Sequence, residues 1–289
     1  MTDPDVHLPG RTPRHRGPLR RLLEVRGVLG GHRRPHALVG LTAADGTRLA
    51  GSYLAGPPTA PTAVLLLHGF LAHRRKPAYA ALADTLADRF PVLALDLRGH
   101  GGSAGSCTLG DHEAEDVAAG VAWLRDHGRT HVAIVGASMG ATSALHAVAS
   151  GTPADALVTI SAPAWFREEG ESAALAQLRR IWERPVTRAG VRAVLGVRVA
   201  GPAGWRSPPH PAEMAQAVRI PWLVVHGDDD HYFPPSDADA LHAAARGPVV
   251  RWHEPAGFGH AEDGFTPSFA HRLRDAIGAV ARDGRFPAP

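Results

Sequence analysis

From His36 onward, short uninterrupted apolar runs alternate with segments of helical periodicity. Residues 64–67 and 132–135 are apolar throughout, as is typical of strands buried on both faces of a sheet. Strands of this kind separated by helices form βαβ units, and so predict a mainly parallel sheet with helices on both faces. An Asp-Gly pair at 45–46, between two strand-like segments, predicts an antiparallel hairpin at the start of this sheet.

The same patterns predict individual elements along the chain. The predicted strands are 36–43, 47–54, 64–67, 92–95, 132–135, 156–160, 222–225 and 249–252. The predicted helices are 77–88, 111–126, 141–149, 171–184, 237–245 and 267–281. Residues 163–218 are too long for a simple crossover, so we expect them to be an insertion that forms a lid over the C-terminal edge of the sheet.

The positive charge of the chain is concentrated at its start. Residues 1–34 contain eight arginines against three acidic residues, whereas the net charge of all 289 residues is only +3. Residues 1–35 are therefore interpreted as a basic, partly disordered arm, with a short amphipathic helix within 19–29 that packs on the body. An anionic membrane surface is the alternative partner for that helix. Residues 36–289 form the folded domain, which lacks the basic surface expected for nucleic-acid binding.

Cysteine usage and apolar run length bear on location. Cys107 is the only cysteine and cannot form an intramolecular disulfide, which fits a reducing compartment. The arginine-rich start is not followed by an apolar segment typical of a signal peptide, and no run approaches the ~18 residues of a membrane span. The sequence predicts a cytoplasmic protein without an integral membrane segment, and leaves its oligomeric state open.

The sharpest local motif is Gly136-Ala137-Ser138-Met139-Gly140, between a predicted strand and a predicted helix. A serine at such a junction lies on a tight turn, and glycines on either side remove side chains that would collide there. The turn exposes the Ser138 hydroxyl at a helix N-terminus, where developing negative charge is favoured. Ser138 is therefore the candidate nucleophile.

A serine hydroxyl needs a base, and the base needs an orienting acid. His260 follows the last predicted strand in a glycine-containing loop, and Asp230 follows the strand 222–225. The carboxyl ends of parallel strands meet at one edge, so both side chains are expected near Ser138. Asp228 and Asp229 are alternative acids in the same run, and we expect them to brace the turn instead.

Four motifs together resemble the α/β-hydrolase superfamily, in particular its serine esterases and lipases. They are His68-Gly69-Phe70, the segment 96–103 (DLRGHGGS), the segment 136–140 (GASMG), and the pair 226–234 and 257–260. The resemblance covers about residues 40–283 and implies that Ser138, Asp230 and His260 form the catalytic triad. It also implies an oxyanion hole from the backbone N–H groups of Phe70 and Met139. The spacing from His226 to Pro234 selects Asp230 as the acid.

Other residues near these motifs receive more modest interpretations. His68 and His100 are expected to brace loops, and Arg74 with its neighbours to form a solvated positive face rather than an anion site. Cys107 lacks the strand–turn–helix context of a nucleophile. No metal or other cofactor is expected. The substrate pocket is predicted between the oxyanion loop and the lid, lined by Leu71, Trp165, Phe166 and Trp182.

These features predict a serine hydrolase that cleaves a carboxylic ester or thioester of a small-molecule acyl substrate through an acyl-serine intermediate. An aminopeptidase or an acyltransferase on the same scaffold is an alternative, because fold does not determine substrate. A non-catalytic ligand-binding protein of this fold is a further alternative, which the presence of all three triad residues disfavours.

Overall fold

A computed structural model describes residues 31–166 and 173–288. Its centre is one eight-stranded sheet with the order β1-β2-β4-β3-β5-β6-β7-β8. The strands are β1 (Ala37–Thr42), β2 (Arg48–Leu54), β3 (Thr62–Leu67), β4 (Val92–Asp96), β5 (His131–Ala137), β6 (Ala156–Ile160), β7 (Trp222–Gly227) and β8 (Val249–Glu254).

Strand direction follows the prediction. β1 and β2 pair antiparallel, with Gly46 in the connecting turn at a φ of 83°, and β2 also pairs antiparallel with β4. The pairs from β4 through β3, β5, β6 and β7 to β8 are all parallel. The mainly parallel sheet with an N-terminal antiparallel hairpin is confirmed.

Helices cover both faces of this sheet. They are α1 (Pro77–Leu86), α2 (Glu113–Asp126), α3 (Met139–Ala149), α4 (Ala173–Glu183), α5 (Pro185–Leu195), α6 (Pro211–Ala215), α7 (Pro235–Ala244) and α8 (Pro267–Asp283). Alternate residues of β3 face opposite sides, since Leu65 packs in the cluster with α2, α3 and α7 while Val64 packs in the cluster with α1 and α8. Burial on both faces explains why the central strands are uninterrupted apolar runs.

The segment between β6 and β7 contains two helices that the sequence analysis did not predict, α5 and α6. Its later part is bound to the loop that follows β4. The N–H of Cys107 donates to the carbonyl of Arg198 at 2.7 Å, and the N–H of Ala200 donates to the carbonyl of Cys107 at 2.9 Å. The insertion is therefore anchored at the C-terminal edge of the sheet.

The predicted helix within residues 19–29 lies outside the described residues, as does most of the predicted basic arm. Among the residues that the structure describes, no helix is long and apolar enough to cross a bilayer.

Candidate active site

The turn between β5 and α3 carries Ser138, with backbone angles of φ 52° and ψ −118°. A Cβ added to Gly136 would lie 2.4 Å from the carbonyl oxygen of Gly140, and one added to Gly140 would lie 2.7 Å from the carbonyl oxygen of His68. Both contacts are with backbone, which cannot move aside as a flexible side chain can. The two glycines are thus required by the close approach of this turn to itself and to the end of β3.

Ser138, His260 and Asp230 form a continuous hydrogen-bonded chain. His260 Nε2 lies 2.8 Å from Ser138 Oγ, and His260 Nδ1 lies 2.8 Å from Asp230 Oδ2 and 3.0 Å from Oδ1. The side chain of Asp230 is 0% exposed and that of His260 is 12% exposed. Because a carboxylate only accepts, Nδ1 carries the ring proton and Nε2 is free to accept the serine proton.

Asp230 is held by further donors at the end of β7. Its Oδ1 accepts the backbone N–H groups of Tyr232 at 2.9 Å and Phe233 at 3.0 Å. Burial alone would raise the pKa of Asp230, but hydrogen bonding and charge from His260, with the Phe233 N–H and nearby His226, lower the pKa below its usual value. The carboxyl group is therefore ionised at neutral pH.

The two neighbouring aspartates lie elsewhere. Asp228 pairs with His253 at 2.7 Å, and Asp229 accepts the backbone N–H of Gly257 at 2.6 Å. Asp229 thus braces the loop that leads to His260, while only Asp230 of the three contacts the imidazole.

The backbone N–H groups of Phe70 and Met139 lie beside Ser138. Met139 is the first residue of α3, and Phe70 directly follows Gly69, whose added Cβ would come 3.3 Å from Ser138 Cβ. Neither N–H donates to a protein acceptor within the described ranges. Both are therefore available to a ligand at the serine.

Two buried histidines fix the loop that contains Phe70. His68 Nδ1 donates to the Gly69 carbonyl at 2.8 Å, while its Nε2 accepts the Leu97 N–H at 3.0 Å. His100 Nε2 accepts the N–H of Leu71 at 3.3 Å, and Leu71 has a φ of 61°. Burial holds the pKa of His68 well below its ordinary value and lowers that of His100 to about 4. Both rings are neutral loop braces, as the sequence indicated.

The residues that follow the loop at Gly69 and Phe70 differ from expectation. Arg74 is 7% exposed and forms a buried ion pair with Asp96. Lys76 pairs with Glu262. The prediction of a solvated positive face at Arg74 is therefore wrong, because the side chain turns inward to a carboxylate at the end of β4.

The predicted pocket residues fall into two groups. Leu71 follows Phe70 in the loop after β3 and has a positive φ. The insertion residues instead pack around Trp205 and His210: the ring of Phe166 lies 5.5 Å from that of Trp205, and Trp165 is 40% exposed with its ring 5.6 Å from His210. Trp182 lies 6.5 Å from Trp205.

The rings that surround His260 were not among the predicted pocket residues. Tyr232 lies 4.5 Å, Phe233 5.5 Å and His231 6.2 Å from its ring centre. They occupy the segment between Asp230 and Pro234, so their proximity to the acid in sequence was the available signal.

Cys107 is fully buried, and burial raises the pKa of its thiol well above the ordinary value. It has little thiolate character, unlike a nucleophilic cysteine.

Within the described part of the chain, one group of potential metal ligands lies outside the serine site. Side-chain atoms of Asp45, His112 and Glu115 fall within 4.8 Å of one another. Arg98 contacts Asp45 at 2.8 Å, and Arg206 contacts Glu115 at 3.1 Å. Guanidinium groups thus already balance the charge of both carboxylates.

Comparisons with known proteins agree with this architecture. Residues 62–187 match the model of the alpha/beta hydrolase fold family. Solved structures with similar folds include an esterase of Pyrococcus furiosus, with 20% identity, a TM-score of 0.66, and coverage of 88% of this chain and 98% of that chain. An esterase from Rhodococcus has 20% identity, a TM-score of 0.62 and coverage of 84% and 98%. No curated protein matches the sequence significantly.

A third similar structure is described as a serine hydrolase without a lid, from Xanthomonas campestris. It has 20% identity, a TM-score of 0.57 and coverage of 88% of this chain and 96% of that chain. At this level of identity the likeness concerns the fold, and it agrees with the family match and with the strand order described above. The chain has the α/β-hydrolase fold.

Proposed function

We propose that this protein is a serine hydrolase that cleaves carboxylic esters of small molecules through an acyl-Ser138 intermediate. The observation that carries the proposal is the hydrogen-bonded chain from Ser138 Oγ through His260 to the buried Asp230. This arrangement provides a nucleophile, a base in the required tautomer and a fixed negative charge that stabilises the imidazolium. The esterases of similar fold support the same reaction class.

In the proposed reaction, Ser138 Oγ attacks the ester carbonyl carbon while its proton passes to His260 Nε2. The tetrahedral intermediate collapses, the bond to the leaving alcohol breaks, and His260 returns the proton to that alcohol. Water then attacks the acyl-serine, giving its proton to His260, and the carboxylic acid is released as Ser138 regains a proton. Asp230 keeps the ring oriented throughout and stays ionised.

The negative oxygen of each tetrahedral intermediate needs donors that are already in position. We assign this role to the N–H groups of Phe70 and Met139. Neither has another acceptor in the described chain, and both lie next to Ser138. Placing Met139 at the start of α3 adds the favourable end of the helix dipole.

We further propose that residues 163–218 act as a lid and contribute to the acyl pocket together with Leu71. Backbone hydrogen bonds of Cys107 with Arg198 and Ala200 hold the insertion on the loop after β4, at the same sheet edge as Ser138. A cytoplasmic location is proposed because the single cysteine is buried as a free thiol.

Thioester hydrolysis uses the same groups and differs only in the leaving group. Aminopeptidase or acyltransferase activity requires a distinct acceptor or leaving-group site, and ligand binding without catalysis requires none of the hydrogen-bonded chain. Ester hydrolysis is therefore the reaction that needs the hydrogen-bonded chain and no further site.

The test is hydrolysis of p-nitrophenyl esters of graded acyl length by the wild type and by Ser138→Ala. We expect measurable turnover by the wild type and a loss of kcat of at least about 10³-fold in the variant. Equal rates for both proteins, or no turnover by a folded wild type on any ester, would contradict ester hydrolysis at Ser138. Thioester and aminoacyl amide substrates in the same screen distinguish the other reactions.

A further inference from the structure

A buried tyrosine links the oxyanion loop to the segment that follows His260. Tyr79 lies in α1 and is 1% exposed. Its hydroxyl accepts the backbone N–H of Gly69 at 2.9 Å and donates to Glu262 Oε2 at 2.8 Å. This one hydroxyl thus joins two loops that are distant in sequence.

The direction of the second hydrogen bond follows from chemistry. Burial, and then the negative charge of Glu262, raise the pKa of Tyr79 well above its ordinary value, so the phenol remains protonated. Its single proton faces the carboxylate because the Gly69 N–H can only donate. Lys76 pairs with the other oxygen of Glu262 and so neutralises its charge.

On the oxyanion side, Gly69 is confined between two groups. A Cβ at this position would lie 3.3 Å from both Ser138 Cβ and the Tyr79 hydroxyl. The Gly69 carbonyl also accepts from His68 Nδ1 at 2.8 Å and from the Ala72 N–H at 3.2 Å. Because a peptide unit is planar, fixing this carbonyl also fixes the direction of the Phe70 N–H.

On the histidine side, Glu262 belongs to the short 3₁₀ helix Ala261–Gly264, which begins directly after His260. Ala261 has a φ of 51°, and its N–H donates to the buried Ser161 hydroxyl at 2.9 Å. Glu262 is the second attachment of this turn, through Tyr79. The two attachments leave the backbone at His260 little freedom to shift.

We propose that Tyr79 is a positioning residue for ester hydrolysis, a role that rests on the function proposed above. Together with Glu262 it fixes the spacing between the Phe70 N–H and His260 around Ser138. Tyr79 touches neither the substrate nor the reacting atoms. It acts by holding the oxyanion donor and the base at a fixed distance from each other. Its loss should therefore weaken binding of the transition state more than binding of the substrate.

The principal test is Tyr79→Phe, which removes the hydroxyl and keeps the ring that packs 5.4 Å from Phe265. We expect kcat on a p-nitrophenyl ester to fall about tenfold or more, with KM changed less than about twofold. Affinity for an alkyl boronic acid, which mimics the tetrahedral intermediate, should fall by a similar factor. Tyr53→Phe is the matched control. The Tyr53 hydroxyl accepts a hydrogen bond from Arg129 at 3.0 Å, and Tyr53 belongs to β2, whereas Ser138 follows β5.

A second pair of variants tests the link even where Tyr79→Phe is poorly folded. Glu262→Gln keeps an acceptor for the Tyr79 hydroxyl and should retain most of kcat, whereas Glu262→Ala should lower kcat as Tyr79→Phe does. The double variant Tyr79→Phe/Glu262→Ala should be no slower than the slower single variant, because both interrupt one connection.

Several results would overturn the role of Tyr79. They are a kcat for Tyr79→Phe equal to that of Tyr53→Phe, a rise in KM at constant kcat, or equal rates for Glu262→Gln and Glu262→Ala. A wild type that hydrolyses no ester and takes up no fluorophosphonate refutes the hydrolase function itself. An active wild type with an unaffected Tyr79→Phe refutes the positioning role alone.

Discussion

The side chain of Asp230 is completely buried, and hydrogen-bond donors surround its charged carboxylate. A buried carboxylate is costly unless donors surround it. Here the donors are the His260 ring and the N–H groups of Tyr232 and Phe233, all within 3.0 Å. A second imidazole, that of His226, is also buried at this site. Its Nε2 lies 3.4 Å from Asp230 Oδ2 and 3.1 Å from the carbonyl oxygen of Phe233. This shell orients the acid toward His260 and keeps it ionised.

Replacing this acid by its neutral isostere tests the role we assign to it. Asp230→Asn keeps the size of the side chain but presents an amide, which favours the wrong tautomer of His260. We expect kcat to fall by about 10⁴-fold, as loss of the acid does in serine triads generally. Steady-state kinetics on a p-nitrophenyl ester provide the measurement.

Asp228→Asn is the matched control because Asp228 is an exposed neighbour that pairs with His253. Its kcat should stay close to that of the wild type. A comparable loss in both variants, or a nearly unchanged Asp230→Asn, would show that Asp230 does not act as the orienting acid.

At the residue scale, the sequence indicated those groups whose position follows from the end of a strand. Ser138, Asp230 and His260 each follow a parallel strand, and such ends meet at one edge. Tyr79 and Glu262 could not be found in this way, because 183 positions separate them and neither occurs in a recognisable motif. The prediction of a solvated Arg74 is wrong for a related reason. Arg74 follows β3, whereas its partner Asp96 lies at the end of β4 and is distant in sequence.

At the scale of elements, the central strands were the most predictable, because burial on both faces produces uninterrupted apolar runs. The ends of the strands are less predictable: β5 extends over His131–Ala137, whereas the apolar pattern predicts only residues 132–135. The backbone hydrogen bonds between neighbouring strands continue past the last apolar side chain. A pattern of apolar residues therefore does not show where the strand ends.

The insertion between β6 and β7 was predictable in existence but not in detail. α5 is amphipathic in sequence, yet it has no buried residue among Pro185–Leu195, so its apolar side chains do not pack into the core. α6 is a single short turn that begins at Pro211 and contacts α3 and α7. Such a helix depends on tertiary packing, which local sequence does not report.

At the scale of the whole molecule, the fold consists of one sheet with a layer of helices packed on each of its two faces. As a consequence of this packing, polar groups at the sheet edge become buried, including His68, His100 and His226. Their rings are neutral in the folded protein because burial lowers the pKa of each. Folding therefore opposes protonation at all three positions.

This burial predicts loss of stability in mild acid. His100 has a folded pKa of about 4 against an ordinary value of 6.5, so below about pH 6.5 the unfolded chain binds more protons than the folded one. His100 alone should lower the free energy of unfolding by about 2 kcal/mol between about pH 7.5 and about pH 5. The loss should grow until the pH passes below the folded pKa.

Urea unfolding at these two pH values measures the effect, with His100→Gln as the comparison. The variant removes one titrating group and should lose less stability on acidification than the wild type, whatever its stability at neutral pH. An identical pH dependence of the two proteins would show that His100 does not titrate on unfolding as argued.

The central claim is that Ser138 is a nucleophile activated by His260 and Asp230, and covalent labelling tests it most directly. The protein is incubated with a fluorophosphonate, and its intact mass and proteolytic peptides are measured. The account predicts one adduct per chain, located on Ser138, formed by the wild type and absent from Ser138→Ala. A folded wild type that remains unlabelled, or an adduct on another residue, would contradict it.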